Sequence, residues 1–231
     1  YNENLWTLKP LDQGRVRLYS QNRIQSFVDN FVSSNWQVDA DRIMVSGNSM
    51  GGSGASLWGL KNQDYFSHIF SKVGVHIPAE SPQFTGSFAK AYGGDPSQEL
   101  KYEDTSRSIW EYMDNESWLR ENIAEDTPHI TFSNGRNDSQ IGWPQAWKFA
   151  QALIDTQRPF TFLWSMGGHG VRPQFPGAND RKAHPEMDFR KDQSVPAFTN
   201  GGLDQSLGSS PEAAPDKGRI NYWYLWEANS V

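Results

Sequence analysis

The sequence predicts an α/β fold, a mostly parallel sheet flanked by helices, and three observations carry that prediction. Short apolar runs at 42–46, 69–77, 129–134 and 160–164 are strand-sized, and each is soon followed by glycine or proline. Stretches with helical periodicity lie between them. Strands alternating with helices require crossover connections, which make neighbouring strands parallel. At 231 residues the chain suits one large domain, or one domain with a small appendage.

The first helix is written in residues 21–36, where Ile24, Phe27, Val28, Phe31 and Val32 repeat at helical spacing. Residues 42–46 follow as a buried strand ended by Gly47, and residues 50–61 as a helix with Leu57 and Leu60 facing inward. The run at 69–77 is the second strand, broken by Pro78. Residues 78–128 then interrupt the rhythm, too long a stretch for a simple crossover. They carry a helix around 106–120 and the aromatics Phe84, Phe88, Tyr92, Tyr102 and Trp110. This is an insertion over the strand ends, its rings forming either a cap over a ligand or a satellite core. A strand at 129–134, a helix from Trp143 with Pro144 in its first turn, and a strand at 160–164 complete the alternation. Residues 1–192 are therefore assigned to one domain, and 193–231 to a linker and C-terminal extension. Residues 200–218 have loop composition. The aromatic strand at 220–226 either begins an accessory β-module or folds back on the core.

Composition narrows the function classes. The chain is 36% hydrophobic, which is enough for a core, yet no run approaches the ~18–20 apolar residues of a membrane helix. A net charge of −6 argues against a general nucleic-acid binder, which needs a basic stripe. The absence of cysteine removes disulfide scaffolds, thiolate zinc sites and cysteine nucleophiles together. Ten tryptophans and 13% aromatics favour ring stacking or apolar pockets. The chain starts at Tyr1 without Met and is read as a trimmed or processed piece, so the absence of a leader carries no information about export.

Chemistry enters at Gly47-Asn48-Ser49-Met50-Gly51, a G-x-S-x-G pattern set between a strand and a helix. A serine on so sharp a turn presents Oγ, and the flanking glycines avoid collision with nearby backbone. The following helix aims its positive end at a developing oxyanion. Such a serine needs an acid and a histidine, in that chain order, in loops after later strands. Asp138 follows the 129–134 strand and His169, between glycines, follows the 160–164 strand. Carboxyl ends of parallel strands share one edge, so Ser49, Asp138 and His169 form a topologically consistent triad.

These residues resemble the α/β-hydrolase superfamily over about residues 20–192, through Gly47-Asn-Ser-Met-Gly-Gly52, Gly135-Arg-Asn-Asp138 and Gly167-Gly-His-Gly170. The likeness is to secreted carboxylesterases of the feruloyl/acetyl-xylan esterase and polyhydroxyalkanoate depolymerase type, and to related prolyl-oligopeptidase-like hydrolases. The resemblance implies a secreted or periplasmic serine carboxylesterase that needs no cofactor and acts on small-molecule or polymer-linked esters. It implies the Met50 N–H as one oxyanion donor, the second coming from a His-Gly-rich loop upstream of the elbow. Before Gly47 this chain has only Gly14 and no histidine. The early strands and that loop are thus expected on an N-terminal segment or another chain that completes the sheet, or else another loop replaces them. Two other readings stand: a prolyl-oligopeptidase-like serine peptidase, and a catalytically silent hydrolase-like binding module.

Three further residues are candidates for the substrate pocket. Asn48 adjoins the serine. His76 ends the second strand on the active-site edge, either as a pocket wall or as a satisfied core histidine. Trp143 starts a helix bordering that edge, either touching substrate or packing with Trp147. Asp104 is an alternative third member of the triad. His184, Glu186 and Asp188 read as a solvated charge run, and no metal is expected.

Overall fold

The computed structural model describes residues 1–103, 105–169, 189–199 and 204–222. Helix α1 (Tyr19–Phe27) runs through a π-helical turn (Val28–Val32) into α2 (Ser33–Asn35). Strand β1 (Met44–Asn48) and helix α3 (Met50–Gly59) meet at Ser49, and β2 (His68–Lys72) follows. The insertion supplies α4 (Ala89–Tyr92), α5 (Ile109–Met113) and α6 (Asn115–Glu121). Then come β3 (His129–Gly135), α7 (Trp143–Asp155), β4 (Phe160–Ser165) and β5 (Gly218–Asn221).

The sheet order is β1-β2-β3-β4-β5, with the first four strands parallel and β5 antiparallel to β4. Every residue of β3 is buried, as a central parallel strand covered by helices requires. Its Phe132 stacks on Phe162 of β4 at 4.2 Å, and Phe149 of α7 closes over it at 5.1 Å. Among the described residues, no helix is long and apolar enough to cross a membrane.

Several elements depart from expectation. The first strand begins two residues late because Asp39 caps a short 3-10 turn, Ala40–Arg42, which takes up the start of the apolar run. It is also not buried. It lies at the sheet edge, its residues alternating between exposed and half-buried. The apolar stripe before it is likewise open, with Ile24, Phe27 and Phe31 exposed by 51, 55 and 49%. The second strand ends at Lys72, since Val73 takes a left-handed φ of 43° and turns the chain out of the sheet. The helix expected over 106–120 is two helices. Asp114, in extended conformation, ends α5 and caps α6 by accepting from Ser117 N–H.

The insertion builds a second apolar cluster, in which Phe84, Leu100, Ile109, Trp110 and Met113 pack with Val16, Val75 and Ile141. The segment 204–222 folds back on the core. Leu207, Ala214, Ile220 and Tyr222 join the main apolar cluster, and β5 extends the sheet. Three indole N–H groups fasten it, Trp143 to Pro211 O, Trp147 to Leu207 O and Trp164 to Pro215 O.

Candidate active site

Ser49 sits on a sharp backbone turn, with φ 56° and ψ −118°. A non-glycine residue there is strained, and persists only where its surroundings over-determine it. Ser49 N–H donates to Lys72 O at 2.8 Å, fixing the turn to β2, while Ser53 N–H and Oγ–H both reach back to Ser49 O. Close approach explains two of the glycines. A Cβ on Gly47 would lie 2.1 Å from the Gly51 backbone, and one on Gly52 would lie 2.5 Å from Lys72 O. Gly51 itself faces open space, so the second obligatory glycine is Gly52 and not the last residue of the five-residue pattern.

Asp138 and His169 arrive from neighbouring loops that are zipped together. Arg136 N–H donates to Ser165 O, Asn137 N–H to Gly167 O, and the Asn137 side chain to Met166 O. Gly135 and Gly167 touch so closely that a Cβ on the former would meet the latter's oxygen at 2.2 Å. Asp138 Oδ1 accepts from the backbone N–H groups of Gln140 and Ile141, an Asx-type turn that holds the carboxylate. Asp138 Oδ2 lies 2.7 Å from His169 Nδ1, and His169 Nε2 lies 2.6 Å from Ser49 Oγ. The structure therefore joins Ser49, His169 and Asp138 in one hydrogen-bonded chain. The carboxylate is buried, and the imidazole is partly open to solvent.

Met50 occupies the first position of α3, where a helix has no acceptor for its N–H, and its side chain is exposed. Next to it lies a cavity of about 200 Å3 walled mainly by apolar side chains, among them Met50, Leu57, Phe84, Phe88, Tyr92 and Met113. The aromatic insertion is thus at once a satellite core and the roof of a pocket reaching the nucleophile's helix. Its two rings Phe84 and Phe88 sit on a π-helical turn, 5.0 Å apart.

The other pocket candidates fall elsewhere. Asn48 is exposed at the end of β1, outside the cavity wall. His76 is fully buried and does not line that cavity; its ring is hydrogen-bonded at both nitrogens and burial holds its pKa down to about 3. Trp143 is a core residue, buried against Phe162 and Trp164, because its ring turns inward under the 204–222 segment. Asp104, Gly170 and the His184, Glu186 and Asp188 group lie outside the described residues. Among the described residues, no group of three or more histidine and acidic side chains is placed to hold a metal ion.

Residues 18–194 match the model of the prolyl oligopeptidase family. Comparison with curated protein sequences gives no match. Among solved structures, the chain is similar to the acylaminoacyl peptidase of Pyrococcus horikoshii, with a TM-score of 0.53 and 18% identity over 66% of this chain and 24% of that one. It is similar also to dipeptidyl peptidase 4 of Porphyromonas gingivalis, with a TM-score of 0.51 and 16% identity over 67% and 20% of the two chains. A third similar structure is an acylaminoacyl peptidase in complex with Z-Gly-Gly-Phe-chloromethyl ketone, with a TM-score of 0.50 and 20% identity over 64% and 23%. The chain spans about a quarter or less of these peptidases, and the likeness is one of fold, the α/β-hydrolase fold.

Proposed function

Because the chain belongs to the prolyl oligopeptidase family and is a serine hydrolase of the α/β-hydrolase type, we propose that Ser49 forms an acyl-enzyme with substrates whose acyl side carries a bulky apolar group. The hydrogen-bonded chain Ser49–His169–Asp138 beside an aromatic cavity carries this reading. In the mechanism, His169 Nε2 takes the Ser49 proton as Oγ attacks the carbonyl, then returns it to the leaving group. Asp138 accepts from Nδ1–H throughout, which keeps Nε2 free as the base and stabilises the imidazolium. The Met50 N–H, at the positive end of α3, receives the oxyanion. Water then hydrolyses the acyl-enzyme with His169 as base.

The bond we assign is a carboxylic ester, with the apolar acyl group seated between Phe84, Phe88 and Met113. Peptide-bond cleavage after a bulky apolar residue is the second reading, and the family match weighs for it at least as much. A matched pair separates the two: one N-acyl-phenylalanine presented as p-nitrophenyl ester and as p-nitroanilide. The ester reading expects turnover of the ester with the anilide slower by more than about four decades in kcat/KM. Anilide turnover within two decades of the ester establishes the peptidase reading. Loss of neither activity in Ser49→Ala would sink both.

A further inference from the structure

Among the described residues, His76 is the one buried titratable group that touches the supports of both the nucleophile and the acid. Its hydrogen bonds have a single consistent direction. Asn134 Nδ2 donates to Gly74 O at 3.0 Å, which turns Asn134 Oδ1 toward His76 Nε2 at 3.3 Å. Nε2 therefore carries the ring proton, and Nδ1 accepts from Ser56 Oγ–H at 2.7 Å. Ser56 Oγ in turn accepts from Asn115 Nδ2 at 3.0 Å, and Asn115 Oδ1 takes the Lys61 ammonium. Burial keeps the ring neutral, as this donor-acceptor pattern requires. Phe149 stacks on it at 4.4 Å and 12°, and Phe132 meets it edge-on at 5.0 Å, so the ring plane is fixed as well.

What these partners hold is the catalytic edge. Ser56 lies on α3, the helix that starts at the nucleophile. Asn134 is the residue of β3 that precedes the Gly135–Asp138 turn. The backbone N–H of His76 donates to Gln145 Oε1 at 2.7 Å, and Gln145 Nε2 donates to Gly142 O at 3.1 Å. Gly142, at φ 85°, donates its own N–H to Asp138 O and closes the far end of the acid loop. One residue thus grips the acid loop at both ends and the nucleophile helix between them.

We propose that His76 is a positioning residue, its imidazole and backbone N–H together setting the separation of the Ser49 helix and the Asp138 loop. The inference rests on the serine-hydrolase reading of the site. A displacement of about 1 Å in such a constellation costs on the order of 100-fold in rate. His76 is absent from the cavity wall, so substrate binding is spared.

The test compares His76→Phe, His76→Gln and His76→Asn with wild type. Active sites are counted by fluorophosphonate titration, and kcat and KM are measured on a p-nitrophenyl ester. His76→Phe keeps the stack on Phe149 and removes both side-chain hydrogen bonds; kcat per titrated site is expected to fall about 100-fold with KM within twofold. His76→Gln retains a donor toward Asn134 and should regain at least tenfold, while His76→Asn, retaining only an acceptor for Ser56, regains less. A purely structural role would lower the titratable fraction and leave kcat per site unchanged, which overturns the proposal. Should His76→Phe fail to fold, Ser56→Ala cuts the helix link, together with the Asn115 bond to the same oxygen; a kcat per site equal to wild type in that variant overturns it too. Wild-type protein that cannot be titrated refutes the site reading and this inference together, whereas titratable protein with unaffected variants refutes only the inference.

Discussion

Replacing Asp138 by asparagine probes the site more sharply than deleting any of its members, because the structure decides which way the new amide must point. Asp138 Oδ1 receives two backbone N–H groups, from Gln140 at 3.0 Å and Ile141 at 3.1 Å, while Oδ2 faces His169 Nδ1. Two donors aimed at one atom accept only the amide oxygen of asparagine, so its NH2 group faces the imidazole. Nδ1 must then become the acceptor and the ring proton moves to Nε2, where it meets Ser49 Oγ in place of a lone pair. In a Ser-His-Asp site the wrong tautomer lowers kcat by roughly 10,000-fold, about 5.4 kcal/mol at ~1.36 kcal/mol per decade. The flipped amide restores the tautomer but leaves two donors unpaired, the Ile141 N–H buried and the Gln140 N–H partly so, at about 1–3 kcal/mol each. The cheaper route sets the rate, so the loss lies between about 30-fold and 10,000-fold. Ester turnover and the second-order rate of fluorophosphonate labelling measure it, with circular dichroism showing that the variant is folded. A folded Asp138→Asn protein retaining more than a tenth of wild-type kcat would refute the reasoning.

The remaining expectations concern the elbow, the cavity and a half-buried lysine. Gly52→Ala forces a Cβ to within 2.5 Å of Lys72 O, so α3 must lift from β2; stability drops by about 1–3 kcal/mol in urea unfolding and kcat drops with it. Phe88→Ala, which removes a half-buried wall of the cavity, raises KM for a phenylalanyl ester roughly tenfold and leaves an acetyl ester nearly unaffected. Equal effects on both esters would place the acyl group elsewhere. Lys61 sits under the rings of Tyr112 and Trp118, and burial brings its pKa down from 10.5 to about 7. Between those values the unfolded chain holds a proton that the folded protein has released, so wild type gains stability relative to Lys61→Met as pH rises from 7 to 10.5. Urea midpoints at pH 6, 7.5 and 9.5 give the sign; a difference that is flat or falls with pH contradicts it.

What could be read in the sequence was whatever depends on local pattern. The runs at 129–134 and 160–164 are bounded by glycine and proline and sit within a residue of β3 and β4. Ser49, Asp138 and His169 follow from chain order and from strands ending on one edge, and the structure links them by hydrogen bonds. What escaped depends on packing between distant segments. The apolar letters of Ile24, Phe27 and Phe31 promise burial, but burial needs a neighbour, and in the structure these side chains remain half-exposed. The splitting of the 106–120 helix turns on one aspartate choosing to cap the helix after it. Residues 204–217 carry loop composition because they lie over the core without regular hydrogen bonding, and three indole N–H groups supply what a ladder would. From its place at a strand end His76 reads as either a pocket wall or a satisfied core histidine, and the three-dimensional positions of Ser56 and Asn134 show the second, with the ring bonded at both nitrogens.

The burial of the strands bears on how strain is held at the nucleophile. Ser49 carries the unfavourable backbone conformation, yet it stands at the end of β1, an edge strand that is half exposed and, among the described residues, paired on one side only. Asp138 and His169 follow β3 and β4, which are buried and paired on both sides. Strain of order 1–3 kcal/mol survives only where neighbouring contacts leave no cheaper conformation. β1 cannot supply those contacts alone. They come from across the turn: Lys72 O on Ser49 N–H, Gly52 against β2, and Ser53 Oγ between Ser49 O and Val75 N–H. Lys72 ends β2 and Val75 lies in the loop that follows it, and Ser53 of α3 ties Ser49 to that loop. The elbow is therefore held by its inner neighbour, and the same loop carries on into His76, where it takes hold of the acid. Nucleophile and acid are referenced to one stretch of backbone, residues 72–77, so movement of the open edge of β1 need not change the distance between them.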